Sequence, residues 1–129
     1  MDTRPAAPPP LRNAPQLITY VDRLAGDLAG LGAVLRGPLA GAFGGVHLLP
    51  FFLPIDGSDA GFDPIDHRRV DPRLGAWPDV AALAADFDVM ADLIVNHVSC
   101  HSEPFRDWLE HGASSVFCLL YTSPSPRDS

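Results

Sequence analysis

With 129 residues, 47% of them apolar, the chain can bury one small core and is too short for two domains. Its formal charge is −7 and all 9 cationic side chains are arginine. That balance argues against nucleic-acid or anionic-membrane partners, which attract basic patches, and suits a small polyol or sugar.

Residues 1–15 hold five of the 14 prolines and little apolar bulk, which predicts a disordered or extended leader without the apolar segment of a secretory signal. No run approaches the ~18 apolar residues of a membrane span. Gln16 to Val21 reads as a strand, with Asp22 just past its end. Asp27 to Leu39 reads as a helix: Leu28, Leu31, Val34 and Leu35 recur at helical spacing, Asp27 stands at the N-cap, and Gly37-Pro38 ends it. Gly45 to Leu49 is a continuous apolar strand apart from His47, expected to be a buried, hydrogen-bonded histidine. Asp56 to Leu74, rich in Gly and Pro, reads as one long loop. Trp77-Pro78 opens a second helix, Asp79 to Ala85, and Asp88 to Val95 is a third strand that runs into Asn96-His97. A third helix starts at Ser102-Glu103-Pro104 and passes through Phe105, Trp108 and Leu109 to Gly112.

The order βαβαβα predicts an α/β fold with a parallel sheet and right-handed crossovers, compatible with a doubly wound sheet or a (β/α)8 barrel. Residues 118–129 have no helical or strand period and resemble the in-frame translation of a sequencing adapter, so the native domain is expected over 16–117. With Cys118 in that tail, Cys100 has no internal disulfide partner, and a reducing, cytoplasmic setting is expected.

Three clusters follow strand ends: Asp22-Arg23, the carboxylate-rich loop Asp56 to His67, and Asn96-His97. In a parallel α/β fold such positions converge on one rim, where carboxylate and imidazole can bind sugar hydroxyls or stabilise positive charge at an anomeric carbon. Asp63, Asp66 and His67 are expected to pin the loop by local hydrogen bonds. Arg68-Arg69 reads as a solvated face or an ion pair, and Cys100 as inert. The spacing of Asp59, Asp63 and His67 matches no zinc or EF-hand pattern, so no metal is expected.

Gln16-Leu17-Ile18-Thr19-Tyr20, then Gly45-Val46-His47-Leu48-Leu49-Pro50-Phe51-Phe52, then Asp59-Ala60-Gly61-Phe62-Asp63-Pro64-Ile65-Asp66-His67, then Asp92-Leu93-Ile94-Val95-Asn96-His97 resemble the N-terminal part of the sucrose phosphorylase family. That family lies within the α-amylase superfamily of glycoside hydrolases. The resemblance covers about Gln16 to Gly112. It implies the first three βα units of a (β/α)8 barrel and retaining chemistry through a covalent glucosyl-enzyme. It implies that Asp59 and His97 bind the glucosyl unit, that Phe62 lines the site near the scissile bond, and that Asp92 and Asn96 are architectural. The family's nucleophile aspartate and acid/base glutamate fall beyond Phe117, so no catalytic residue is expected in this chain. The implied substrates are sucrose or a related α-glucoside with inorganic phosphate as co-substrate, and no cofactor. Cys100 stands where sucrose phosphorylases usually carry a bulky aromatic. The acceptor therefore stays open: a phosphorylase of glucosylglycerate or glucosylglycerol, a hydrolase, or a non-catalytic amylase-like module are the alternatives.

Overall fold

A computed structural model describes residues 7–54 and 61–118. Its centre is a sheet of three parallel strands, β1 (Gln16–Thr19), β2 (Gly45–Leu48) and β5 (Asp88–Ala91), in the order β1-β2-β5. Between β1 and β2 lie α1 (Val21–Ala25) and α2 (Leu28–Arg36). Between β2 and β5 lie a two-stranded antiparallel ribbon, β3 (Phe52–Leu53) with β4 (Asp66–Val70), and α3 (Trp77–Ala84). After β5 comes α4 (Glu103–His111).

Local chemistry starts α2, α3 and α4. The Asp27 carboxylate accepts from the Gly30 amide at 2.6 Å, and Asp79 reaches back to the Ala76 amide at 2.8 Å. Both satisfy donors that a helix N-terminus leaves orphaned. Ser102 caps α4 by accepting from the Phe105 amide at 3.4 Å. Gly45 permits close pairing of β2 with β5, since a Cβ there would stand 2.7 Å from the Asp88 carbonyl oxygen. Gly75 turns at φ +137°, where a side chain would also strike Asp79.

Strand alternation sorts the sheet into two faces. Leu17, Val46, Leu48 and Val89 join the core formed with Leu28, Leu31 and Leu35 of α2 and Leu83 of α3. In register across the other face stand Ile18, His47 and Met90. No described helix covers that face in the core, and Ile18 and Met90 are 63% and 47% exposed. Phe51, Phe52, Val70 and Leu74 extend the core past the end of β2.

Several expectations are corrected. The first strand stops at Thr19: Val21 starts α1 and is buried, because packing against the core outweighs the β preference of Val. The third strand stops at Ala91, not Val95. β2 ends at Leu48, opposite Ala91, so Leu93 and Val95 have no described ladder partner and are 82% and 79% exposed. The long loop is not all loop, since it contains β4, which pairs Val70 with Phe52 and Asp66 with Leu53. Its charged run Asp66-His67-Arg68-Arg69 hid the strand because β4 buries only Val70. Residues 7–15 form neither helix nor strand; the Arg12 amide donates to the Asp88 carboxylate at 2.6 Å, and the Pro15 carbonyl accepts from Gly44 at 3.0 Å. Residues 1–6 and 119–129, and with them most of the leader's start and the adapter-like tail, lie outside the described residues.

Candidate functional site

The parallel strands point the same way, so Tyr20, Leu49 and Asp92 leave the sheet together at its C-terminal rim. The Leu49 amide continues the β1–β2 ladder to the Thr19 carbonyl at 3.0 Å. Continuing the alternation of β5 by one step places Asp92 on the face of Met90 and His47. There the His47 imidazole meets the Asp92 carboxylate, Nε2 to Oδ1, at 3.1 Å. The two side chains are 20% and 28% exposed. The second carboxylate oxygen, Oδ2, is buried and has no hydrogen-bond partner among the described residues.

A second contact closes the rim from above. His97 donates from Nε2 to the main-chain carbonyl of Phe62. Two bonds align the segments that meet there: Ser99 amide to Pro64 carbonyl at 3.1 Å, and Ile65 amide to Leu53 carbonyl at 2.7 Å. Phe62 is half-buried and His97 exposed, so the ring edge stays open to a ligand. Asn96 is exposed in the loop between Asp92 and His97. The structure therefore brings Phe62 and His97 together and, separately, Asp92 and His47. Asp59 lies outside the described residues.

Aromatic packing supports this rim. Phe51 lies tilted against Phe52 at 4.7 Å and, at 5.8 Å, edge-on to Trp77, whose indole N–H donates to the Arg68 carbonyl at 2.7 Å. Asp66 does pin its strand: it accepts from the Arg68 amide and Nε, each at 2.9 Å. The hydrogen bond from the Arg68 side chain holds the Asp66 carboxyl below the usual range, against a smaller opposing effect of burial. His67 instead lies against Phe52, ring centres 5.8 Å apart, with Nε2 buried and unpartnered among the described residues. Between β4 and α4 runs a cleft of about 690 Å³ lined by His67, Arg69, His101, Arg106 and Phe117 among others. Among the described residues no three His, Cys, Asp or Glu side chains gather as a metal site. Nor does any described helix have the length and apolarity to cross a membrane.

His47 is hydrogen-bonded, as the sequence predicts, but to Asp92 and on the face away from the core cluster. One residue, Asp71, escaped the sequence reading. Asp71 is 1% exposed, accepts from the Arg73 amide at 2.9 Å, and donates its own amide to the Phe51 carbonyl at 2.9 Å. Its only signal was a turn-forming Asp-Pro.

No family model matches the chain. Over 112 residues it is 59% identical to the sucrose phosphorylase of Agrobacterium vitis, a match covering 86% of this chain and 23% of that protein. The chain matches the N-terminal part of the sucrose-phosphorylase-type barrel. The sucrose phosphorylase of Bifidobacterium adolescentis is 48% identical over 89% of the chain and 23% of its own length. The crystal structure of sucrose 6F-phosphate phosphorylase from Thermoanaerobacter thermosaccharolyticum superposes with a TM-score of 0.78 at 43% identity. That match covers 84% of this chain and 22% of the solved one. The choice left open by the βαβαβα pattern thus falls to the barrel. The sucrose-phosphorylase-type chain spans less than a quarter of its curated relatives, 23% of either phosphorylase.

Proposed function

We propose that this chain is part of a retaining α-glucoside phosphorylase that takes sucrose and moves its glucosyl group to inorganic phosphate through a covalent glucosyl-enzyme. The observation that carries the reading is 59% identity to a sucrose phosphorylase along 86% of the chain, uninterrupted by a change of fold. In this reading Asp59 and His97 hold the hydroxyls of the donor glucosyl unit. Phe62 presents its ring near the bond that breaks, with its carbonyl fixed by His97. Asp92 and Asn96 shape the rim. Phosphate is the co-substrate, and neither metal nor cofactor takes part.

Retention needs two carboxyl groups about 5 Å apart across the scissile bond. The resemblance puts that pair beyond Phe117, so the chain alone is inert. The test is incubation of the complete protein with sucrose and phosphate. Equal release of glucose 1-phosphate and fructose supports the reading, and release of free glucose without phosphate consumption overturns it in favour of hydrolysis.

A second reading keeps the barrel and changes the acceptor. Two observations favour it: Cys100 in place of the usual aromatic, and the close superposition on a relative named for sucrose 6F-phosphate. Competition among sucrose, sucrose 6F-phosphate and glucosylglycerol as substrates of the complete protein separates the two.

A further inference from the structure

His47 and Asp92 make a pair that core packing does not explain. The core cluster, with the α1, α2 and α3 residues that join it, lies on the opposite face of the sheet, and His47 is not part of that cluster. Its in-register neighbours Ile18 and Met90 are both exposed. An apolar residue would suit a strand meant for burial on both faces better than an imidazole does. The partner is equally unusual. Asp92 spends Oδ1 on His47 at 3.1 Å and leaves Oδ2 buried with no partner among the described residues. A buried carboxylate oxygen without a donor is rare enough in folded proteins to need an explanation. His47 lies within β2 and Asp92 directly follows the last residue of the adjacent strand β5, so the sheet ladder fixes His47 and delivers Asp92 to it at the strand end.

We propose that His47 is a positioning residue for the glucosyl-transfer site, an inference that rests on the function proposed above. The His47 Nε2–H fixes the Asp92 carboxylate by one oxygen. The other, buried and unpartnered among the described residues, is thereby presented to a hydrogen-bond donor that completes the rim. His47 acts on turnover only through Asp92 and touches no substrate itself. Supporting groups of this kind set the geometry of the residues that do.

The experiment uses the complete protein and p-nitrophenyl α-glucoside, whose turnover needs neither phosphate nor fructose. His47→Met removes the donor at similar bulk, and His47→Gln returns an amide N–H near the position of Nε2. With His47→Met, kcat is expected to fall about tenfold, the value of one ordinary hydrogen bond, with KM unchanged. His47→Gln is expected to recover most of that loss. The double variant His47→Met with Asp92→Asn is expected to be no slower than Asp92→Asn alone, because both remove one interaction. Equal losses in the Met and Gln variants, or losses that multiply in the double variant, overturn the proposal. If His47→Met fails to fold, His47→Gln decides: a rate close to wild type supports the proposal and a tenfold loss overturns it. A wild type that cleaves the aryl glucoside but does not phosphorolyse sucrose overturns the sucrose reading alone. A wild type that does neither overturns both.

Discussion

The His97 imidazole donates to the main-chain carbonyl of Phe62, a contact that joins residues 35 positions apart. Through it the loop behind β5 and the loop ahead of β4 form one wall, and a single substitution can disturb both. In the complete protein, His97→Ala is expected to lower turnover of sucrose and phosphate by at least ~10²-fold, the order associated with lost transition-state contacts. Asp59→Ala is expected to do the same if, as proposed, Asp59 holds the glucosyl unit. Steady-state rates near wild type in both variants would sink the assignment of this rim to substrate.

Phe51 ties the core to the rim: its side chain is 1% exposed, and its carbonyl accepts from the buried Asp71. Phe51→Ala is expected to cost about 3–5 kcal/mol, the usual range for emptying a buried aromatic site. Denaturant unfolding of the complete protein measures it. A cost below about 1 kcal/mol would mean that the site collapses around the cavity.

At the start of α2, Asp27 accepts from Gly30 at 2.6 Å. Asp27→Ala is expected to destabilise by about 1 kcal/mol, as for other lost N-caps, and Asp27→Ser to restore most of it. If the alanine and serine variants have equal midpoints, the cap contributes nothing.

Asp66 adds a pH dependence whose sign is fixed. Its folded carboxyl is lowered by the Arg68 hydrogen bond, so the contribution is complete above the unfolded carboxylate range. It is lost as the pH falls through the lower, folded value. Asp66→Asn is therefore expected to be less stable than wild type at neutral pH, with the gap closing in acid. The effect is small because the Arg68 side chain is 80% exposed and solvent screens the pair. Thermal midpoints of both proteins across the acid range check it, and a gap that widens in acid would contradict the assigned cause.

The 129-residue chain by itself is expected to self-associate. The face carrying Ile18 and Met90 is uncovered among the described residues, and Leu93 and Val95 stand 82% and 79% exposed past an edge strand. Such an edge invites pairing with another chain. Sedimentation of the isolated chain at several concentrations tests this, and a monomer with a cooperative thermal transition would count against it.

The parts of the fold whose signal is local or contiguous were legible in the residues alone. Leu28, Leu31 and Leu35 announced α2 by their spacing, Asp27 and Ser102 announced caps, and the unbroken motifs from Gly45 to Phe52 and from Asp92 to His97 carried the family resemblance. These features depend on neighbours within a few residues, which one chain displays directly. Only the tertiary structure decided where β1 and β5 end, because a strand stops where the adjacent strand stops offering a ladder. It alone showed that Asp66–Val70 is a strand, since one buried residue in five leaves no period to read. The same holds for the rim. The partnership of His47 with Asp92 spans 45 residues, and that of His97 with the Phe62 carbonyl involves a backbone atom that no residue type reveals. Such contacts are set by register between strands and by the path of loops over them, and only the folded sheet supplies both.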